Sequence, residues 1–146
     1  MENSFLILHD LETTATLGNV FQMVSVPEFL NEWWTHNSQG KPELGSEYIF
    51  EFSEEYKWKG KITKLNPPFE IEYLITEADQ DWTGTSVGFI LKEVQNGTKI
   101  SFYHKDWKIA NEHFRQTSFC WAMYLRILKK NVEEGVHIPY SERDNF

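Results

Sequence analysis

Five stretches of this chain alternate apolar and polar residues with a period of two, and that period decides what can form. Tyr48, Phe50 and Phe52 share one parity. So do Trp58, Gly60 and Ile62; Phe69, Ile71, Tyr73 and Ile75; Thr85, Val87, Phe89 and Leu91; and Thr98, Ile100, Phe102 and His104. Successive side chains of a strand point to opposite faces, so each set lies on one side. One sheet face is therefore nearly all apolar, while the other carries Glu, Lys and Ser. Such a face must be covered. The stretch long enough to do so is a helix near residues 109–135. There Phe114, Trp121, Leu125, Leu128 and Val132 make one apolar stripe, with Thr117, Cys120, Tyr124 and Ile127 beside it.

Local signals place the remaining elements. Residues 5–13 read as a first, poorly alternating strand at a sheet edge. Thr16 caps a short helix carrying Leu17, Val20, Phe21 and Val24, and Pro27 opens a second through Trp33. Residues 35–46, rich in Asn, Ser and Gly, read as a loop. Asn66-Pro67-Pro68 must be a turn, because prolines cannot donate to a ladder. Asn96-Gly97 predicts a hairpin, and Gly135 stops the long helix. Residues 136–146 read as a polar tail. The expectation is a single α+β domain over 1–146: a six-stranded curved antiparallel sheet wrapped around the C-terminal helix, with two short helices after the first strand.

Composition narrows the function classes. The 146 residues suffice for one buried core. A formal net charge of −8 disfavours phosphate backbones, so no nucleic-acid partner is expected. Lys57, Lys59 and Lys61 alternate onto a solvated face of an edge or outer strand. No apolar run reaches the ~20 residues of a membrane helix, and the start lacks a signal-peptide pattern. With a single cysteine, Cys120, no intrachain disulfide forms, which fits a reducing, cytoplasmic setting.

Taken in order, several landmarks resemble one family: Val20-Phe21, Pro27-Glu28, Trp33-Trp34, Gly45, the run Trp58-Lys59-Gly60-Lys61-Ile62, Asn66-Pro67-Pro68, Gly97-Thr98, His104, Trp121, Leu125, Leu128-Lys129 and Gly135. From about residue 5 to 135 the chain resembles the START-like, or SRPBCC, helix-grip superfamily, and within it the bacterial relatives of the heat-shock chaperone ATPase activator. The resemblance implies the helix-grip fold. It implies either a hydrophobic-ligand carrier, a chaperone-associated module with a heat-shock chaperone as partner, or a cyclase- or dehydratase-like enzyme.

The chemistry-bearing residues are few. The five histidines show no metal-ligand spacing, no Gly-x-Ser-x-Gly elbow exists, and no glycine-rich loop opens a helix. No catalytic residue, metal or cofactor is assigned. His104 has inward parity at the end of the last strand, and His113 opens the long helix. Facing one cavity, they would form an acid–base pair; alone, His104 is a buried residue satisfied by a carbonyl or water. Aromatic residues make up 16% of the chain, with six tryptophans, so rings either fill a core or line a cavity. Of the adjacent Trp33 and Trp34, one is expected inside and the other at a cavity mouth. The site expected is a pocket for a small hydrophobic molecule between sheet and helix. Its candidate walls are Trp34, Trp58, Tyr73, Phe89, Phe102, His104, Trp107, His113, Thr117, Trp121 and Tyr124, with Trp82 nearby.

Overall fold

Alternation becomes structure in the strands β3 (Glu47–Glu51), β4 (Lys57–Asn66), β5 (Glu70–Glu77), β6 (Ser86–Val94) and β7 (Gly97–Trp107) of a computed structural model that describes residues 4–146. β1 (Phe5–Thr13) precedes them and pairs with β7, so the first strand lies at an edge. Between β1 and β3 come the helices α1 (Leu17–Ser25) and α2 (Pro27–Leu30) and a short strand, β2 (Asn37–Gln39). α3 (Glu112–Glu134) covers the sheet. The strand order is β1-β7-β6-β5-β4-β3-β2, with antiparallel neighbours throughout.

The sheet thus has seven strands rather than six. The added one, β2, lies in the stretch read as a loop. Asn37, Ser38 and Gln39 have low strand propensity and no apolar alternation; pairing with Ile49, Phe50 and Glu51 of β3 makes them a strand. β2 then forms the second edge in place of β3, and β4, with its outward lysines, is an interior strand between β3 and β5 rather than an edge or outer one.

Caps and turns follow their local chemistry. The Thr16 side chain accepts from Asn19 N at 3.3 Å, and Asn111 accepts from Phe114 N at 2.9 Å to start α3. Gly135 ends α3 in the left-handed region at φ 69°. Asn96 turns the β6–β7 hairpin at φ 67°.

The inward parity sets form the core: Tyr48, Phe50, Ile62, Ile71, Tyr73, Ile75, Val87, Phe89, Leu91, Ile100 and Phe102 are all buried against Trp121, Leu125 and Leu128 of α3. Trp33 and Trp34 are both in this core, at 0% and 2% exposure. They follow α2 in a turn rather than sharing a regular helix. Their rings lie 6.1 Å apart, tilted by 30°, and reach different neighbours: Trp33 meets Phe89 edge-on, and Trp34 meets Phe50 and Trp121.

The tail also departs from its polar reading. Residues 140–145 form a 3-10 turn, and Arg143 within it is 1% exposed. Its guanidinium donates to the carbonyls of Ile138, Thr35 and Asn31 at 3.0, 3.1 and 2.6 Å. Those of Asn31 and Thr35 are backbone acceptors just past the end of α2, the kind of place a cation satisfies.

Candidate functional site

The last carbonyls of a helix lack intrahelical partners. In α1 three inward polar tips take them. Trp33 Nε1 donates to Met23 O at 2.8 Å, Tyr73 Oη to Val24 O at 2.7 Å, and Tyr48 Oη to Ser25 O at 2.6 Å. Burial holds both tyrosine hydroxyls well above the usual phenol range, so they remain donors. These groups attach α1 to the sheet and leave no hydroxyl over for a guest.

His104 is also spoken for. Thr85 Oγ1 donates to Trp82 O at 2.6 Å, which leaves its lone pair for His104 Nε2 at 2.7 Å. On the other side Trp121 Nε1 donates to His104 Nδ1 at 3.1 Å. The chain of donors has one consistent direction, from Trp121 through His104 and Thr85 to the Trp82 carbonyl. The imidazole is therefore neutral, with its proton on Nε2. A second proton on Nδ1 would face the indole N–H. Burial, with a smaller push from His113, moves the His104 pKa down to about 3. The partners are side chains, not the carbonyl or water read from sequence.

His113 belongs to a different cluster. Its Nδ1 lies 2.8 Å from Asp81 Oδ2, and its Nε2 lies 3.8 Å from Asp79 Oδ2. The bond to His113, followed by one from Asn111, holds the Asp81 carboxyl below its ordinary range. The Trp107 ring touches both imidazoles, at 5.0 Å from His104 and 5.7 Å from His113. The two histidines therefore do not assemble as an acid–base pair.

Open space lies at one end of the sheet, where α3, the 79–84 loop and the β3–β4 turn meet. One lobe, of about 200 Å³, is lined by Trp58, Trp82, His113, Gln116, Thr117, Cys120, Trp121 and Tyr124. A second, of about 190 Å³, is lined by Trp34, Phe52, Tyr56, Trp58 and Trp82. Trp58 and Trp82 wall both lobes, with ring centroids 4.9 Å apart. Trp82 stacks on Trp121 at 5.9 Å, and Phe52 meets Trp58 edge-on at 5.2 Å. Burial raises the Cys120 thiol, so it stays protonated and is a poor nucleophile. Larger hollows of about 330 and 420 Å³ are bordered by charged side chains, including Lys129 and Glu133 in one and Glu32 and Arg143 in the other, and lack an aromatic wall of this kind. Among the described residues no three His, Cys, Asp or Glu side chains converge as metal ligands. No helix there is long and apolar enough to cross a membrane.

Of the residues singled out from sequence, Trp34, Trp58, His113, Thr117, Trp121 and Tyr124 line the groove. Tyr73, Phe89, Phe102, His104 and Trp107 are sealed in the interior. Phe52 is marked in the sequence only by its inward parity, and no local signal marks Tyr56. The β3–β4 turn brings both to the rim, where Phe52 N donates to Tyr56 O at 2.8 Å. The indole N–H groups of Trp82 and Trp107 are buried without a hydrogen-bond partner among the described residues.

A family model described as Activator of Hsp90 ATPase homolog 1-like protein matches residues 14–133. No curated protein sequence matches. Among solved structures, the Aha1 dimer of Colwellia psychrerythraea is 27% identical, with a TM-score of 0.81, over 90% of this chain and 98% of that one. A Staphylococcus saprophyticus protein is 19% identical, with a TM-score of 0.78, over 92% of this chain and 96% of its own. A Bacillus halodurans protein is 23% identical, with a TM-score of 0.76, over 91% and 100%.

Proposed function

This chain belongs to the Activator of Hsp90 ATPase homolog 1-like family, and from that premise we propose that it binds a small hydrophobic molecule in the groove at the open end of its sheet. The observation that carries this is the pair of ring-walled lobes sharing Trp58 and Trp82. Each lobe lies under the ~300 Å³ typical of drug-sized sites, so the guest is a compound of one or two rings or a short chain. Burying ~200 Å² of its apolar surface gains about 5 kcal/mol, which sets affinity near the millimolar to high-micromolar range. Polar handles are sparse: the Thr117 and Tyr124 hydroxyls, Gln116 and His113. The fold, which typically hosts apolar ligands, supports the reading. An acid–base enzyme finds no support in His104, whose two ring nitrogens are committed to Thr85 and Trp121.

The test is a titration of the full chain with naphthol, followed through the indole signals in proton–nitrogen correlation spectra. Saturable shifts at Trp58, Trp82 and Trp121, absent in Trp58→Ala, are the outcome this reading requires. Unmoved indole signals at saturating naphthol would discard it.

A second reading, docking to a heat-shock chaperone, has the family description in its favour. It would use an outer surface, such as Leu6 and Leu8 of β1 or Phe119 of α3, all exposed. Binding to purified Hsp90 that survives Trp58→Ala and is lost in Leu8→Ser would favour it over the groove.

A further inference from the structure

The second lobe differs from an ordinary hydrophobic pocket. Its walls are all aromatic: Trp34, Phe52, Tyr56, Trp58 and Trp82, with no polar atom exposed to the space. The rings meet at steep angles, 67° between Phe52 and Trp58, 60° between Trp34 and Phe52, and 51° between Trp58 and Trp82. They form a cup rather than a slot. The Trp82 N–H is buried behind the wall, so that ring offers carbon atoms to the cup. A flat hydrocarbon would be best served by parallel walls. Rings inclined to one another around a rounded space suit a rounded apolar group, and aromatic walls attract one that carries positive charge.

The rim is acidic. Glu54 and Glu55 occupy the turn between Phe52 and Tyr56, and both are exposed. Asp81 precedes Trp82, and Asp79 Oδ1 accepts from Trp82 N at 2.8 Å. The chain as a whole carries a net charge of −8. Lys57 and Lys59 alternate with Trp58 onto the opposite face of β4 and do not enter the cup. His113, beside Asp79 and Asp81, borders only the other lobe. The carboxylates of Glu54, Glu55, Asp79 and Asp81 thus adjoin, along the chain, the residues of a cup whose exposed atoms are all apolar. A primary ammonium entering the cup would give up hydrogen bonds to water that its carbon walls do not return. A fully methylated ammonium has no N–H groups to satisfy.

We propose that this cup receives the quaternary ammonium group of a small organic cation. The inference deepens the groove-binding reading and rests on it: the cup holds the head, and the lobe bounded by Trp121 and Tyr124 holds the apolar remainder. About 190 Å³ has room for a trimethylammonium group.

Choline and dimethylbutanol, which replaces the ammonium nitrogen by carbon, have the same shape and separate charge from bulk. Each is titrated into the full chain and followed through the Trp58 and Trp82 indole signals. Choline is expected to bind about tenfold or more tightly than dimethylbutanol and to weaken as salt is raised. Tyr56→Leu keeps an apolar wall at an exposed position, so it does not threaten folding. It should weaken choline severalfold and naphthol by a smaller factor, whereas Glu54→Gln with Glu55→Gln, which lie outside the walls of the groove, should weaken choline and leave naphthol unchanged. Equal binding of dimethylbutanol and choline overturns the inference. So does binding of naphthol with no response to choline, and in that case the groove reading stands. Failure of naphthol as well removes both.

Discussion

Replacing His104 by Gln should flatten the acid side of the stability profile. In the folded chain the imidazole is neutral, with its pKa pushed down to about 3, first by burial. In the unfolded chain it titrates near 6.5. Between those values the unfolded state binds the extra proton, so stability falls as pH falls. The contribution is fully present above about pH 6.5 and drains away toward pH 3. One proton corresponds to about 1.4 kcal/mol per pH unit well inside that window. Integrated from about pH 7.5 to about pH 4.5, His104 alone removes about 3 kcal/mol of wild-type stability. Glu72 and Asp81, both held below their ordinary range, act with the same sign. For Glu72, burial pushes upward, but hydrogen bonds from Thr63, Tyr103 and Lys105 outweigh it. Their contributions are common to both proteins and cancel in the difference. Gln can still bond Thr85 but cannot be protonated. Urea denaturation at several pH values is the assay. The variant should start less stable at neutral pH, by about 1–3 kcal/mol for the unanswered Trp121 N–H. It should then lose about 3 kcal/mol less than wild type on acidification. Parallel profiles for the two proteins would refute the neutral, sealed histidine.

Three further outcomes follow from the same geometry. Tyr73→Phe leaves the Val24 carbonyl at the end of α1 without its donor and should cost about 1–3 kcal/mol in chemical denaturation, although no apolar contact is lost. Arg143→Met removes the donor to Asn31, Thr35 and Ile138 and should lower the melting temperature by several degrees, since a shift of about 4–8 °C attends each 1 kcal/mol in domains of 60–100 residues and about half that in larger ones; an unchanged melt would mean the tail adds nothing. Gly88→Ala would bring a Cβ within 2.1 Å of the Tyr103 ring, displacing Tyr103 from its bond to Glu72, and should cost about 1–3 kcal/mol by urea titration.

Much of this protein could be read before it was seen. The parity of Tyr48 and Phe50, of Ile71 and Tyr73, and of Phe89 and Phe102 told which face each strand buries, because a period of two has no other solution. Thr16 and Gly135 act at the helix ends through bonds that depend on a few neighbouring residues. What parity could not tell was whether inward means lining a cavity or packed solid. Tyr73, Phe102 and Trp121 have the same alternating or helical spacing, yet Tyr73 and Phe102 are sealed while Trp121 borders the groove. Depth in a curved sheet depends on distance from its open end, which no local window contains. Arg143 shows the same limit: its charge marks a surface residue, and only the turn at Asn31 and Thr35, more than a hundred residues earlier, makes it an internal one.

By itself, then, the order of residues determined the antiparallel strands, their buried faces and the covering helix, since these depend on short-range periodicity and backbone chemistry. Tertiary structure alone decided that Asn37–Gln39 is a strand, that His104 is locked between Thr85 and Trp121, and that Phe52, Tyr56, Trp58 and Trp82 share a rim. Each of those rests on pairing or packing between separate elements, from the β2–β3 pair to the meeting of β7 with α3, and no local periodicity encodes such contacts.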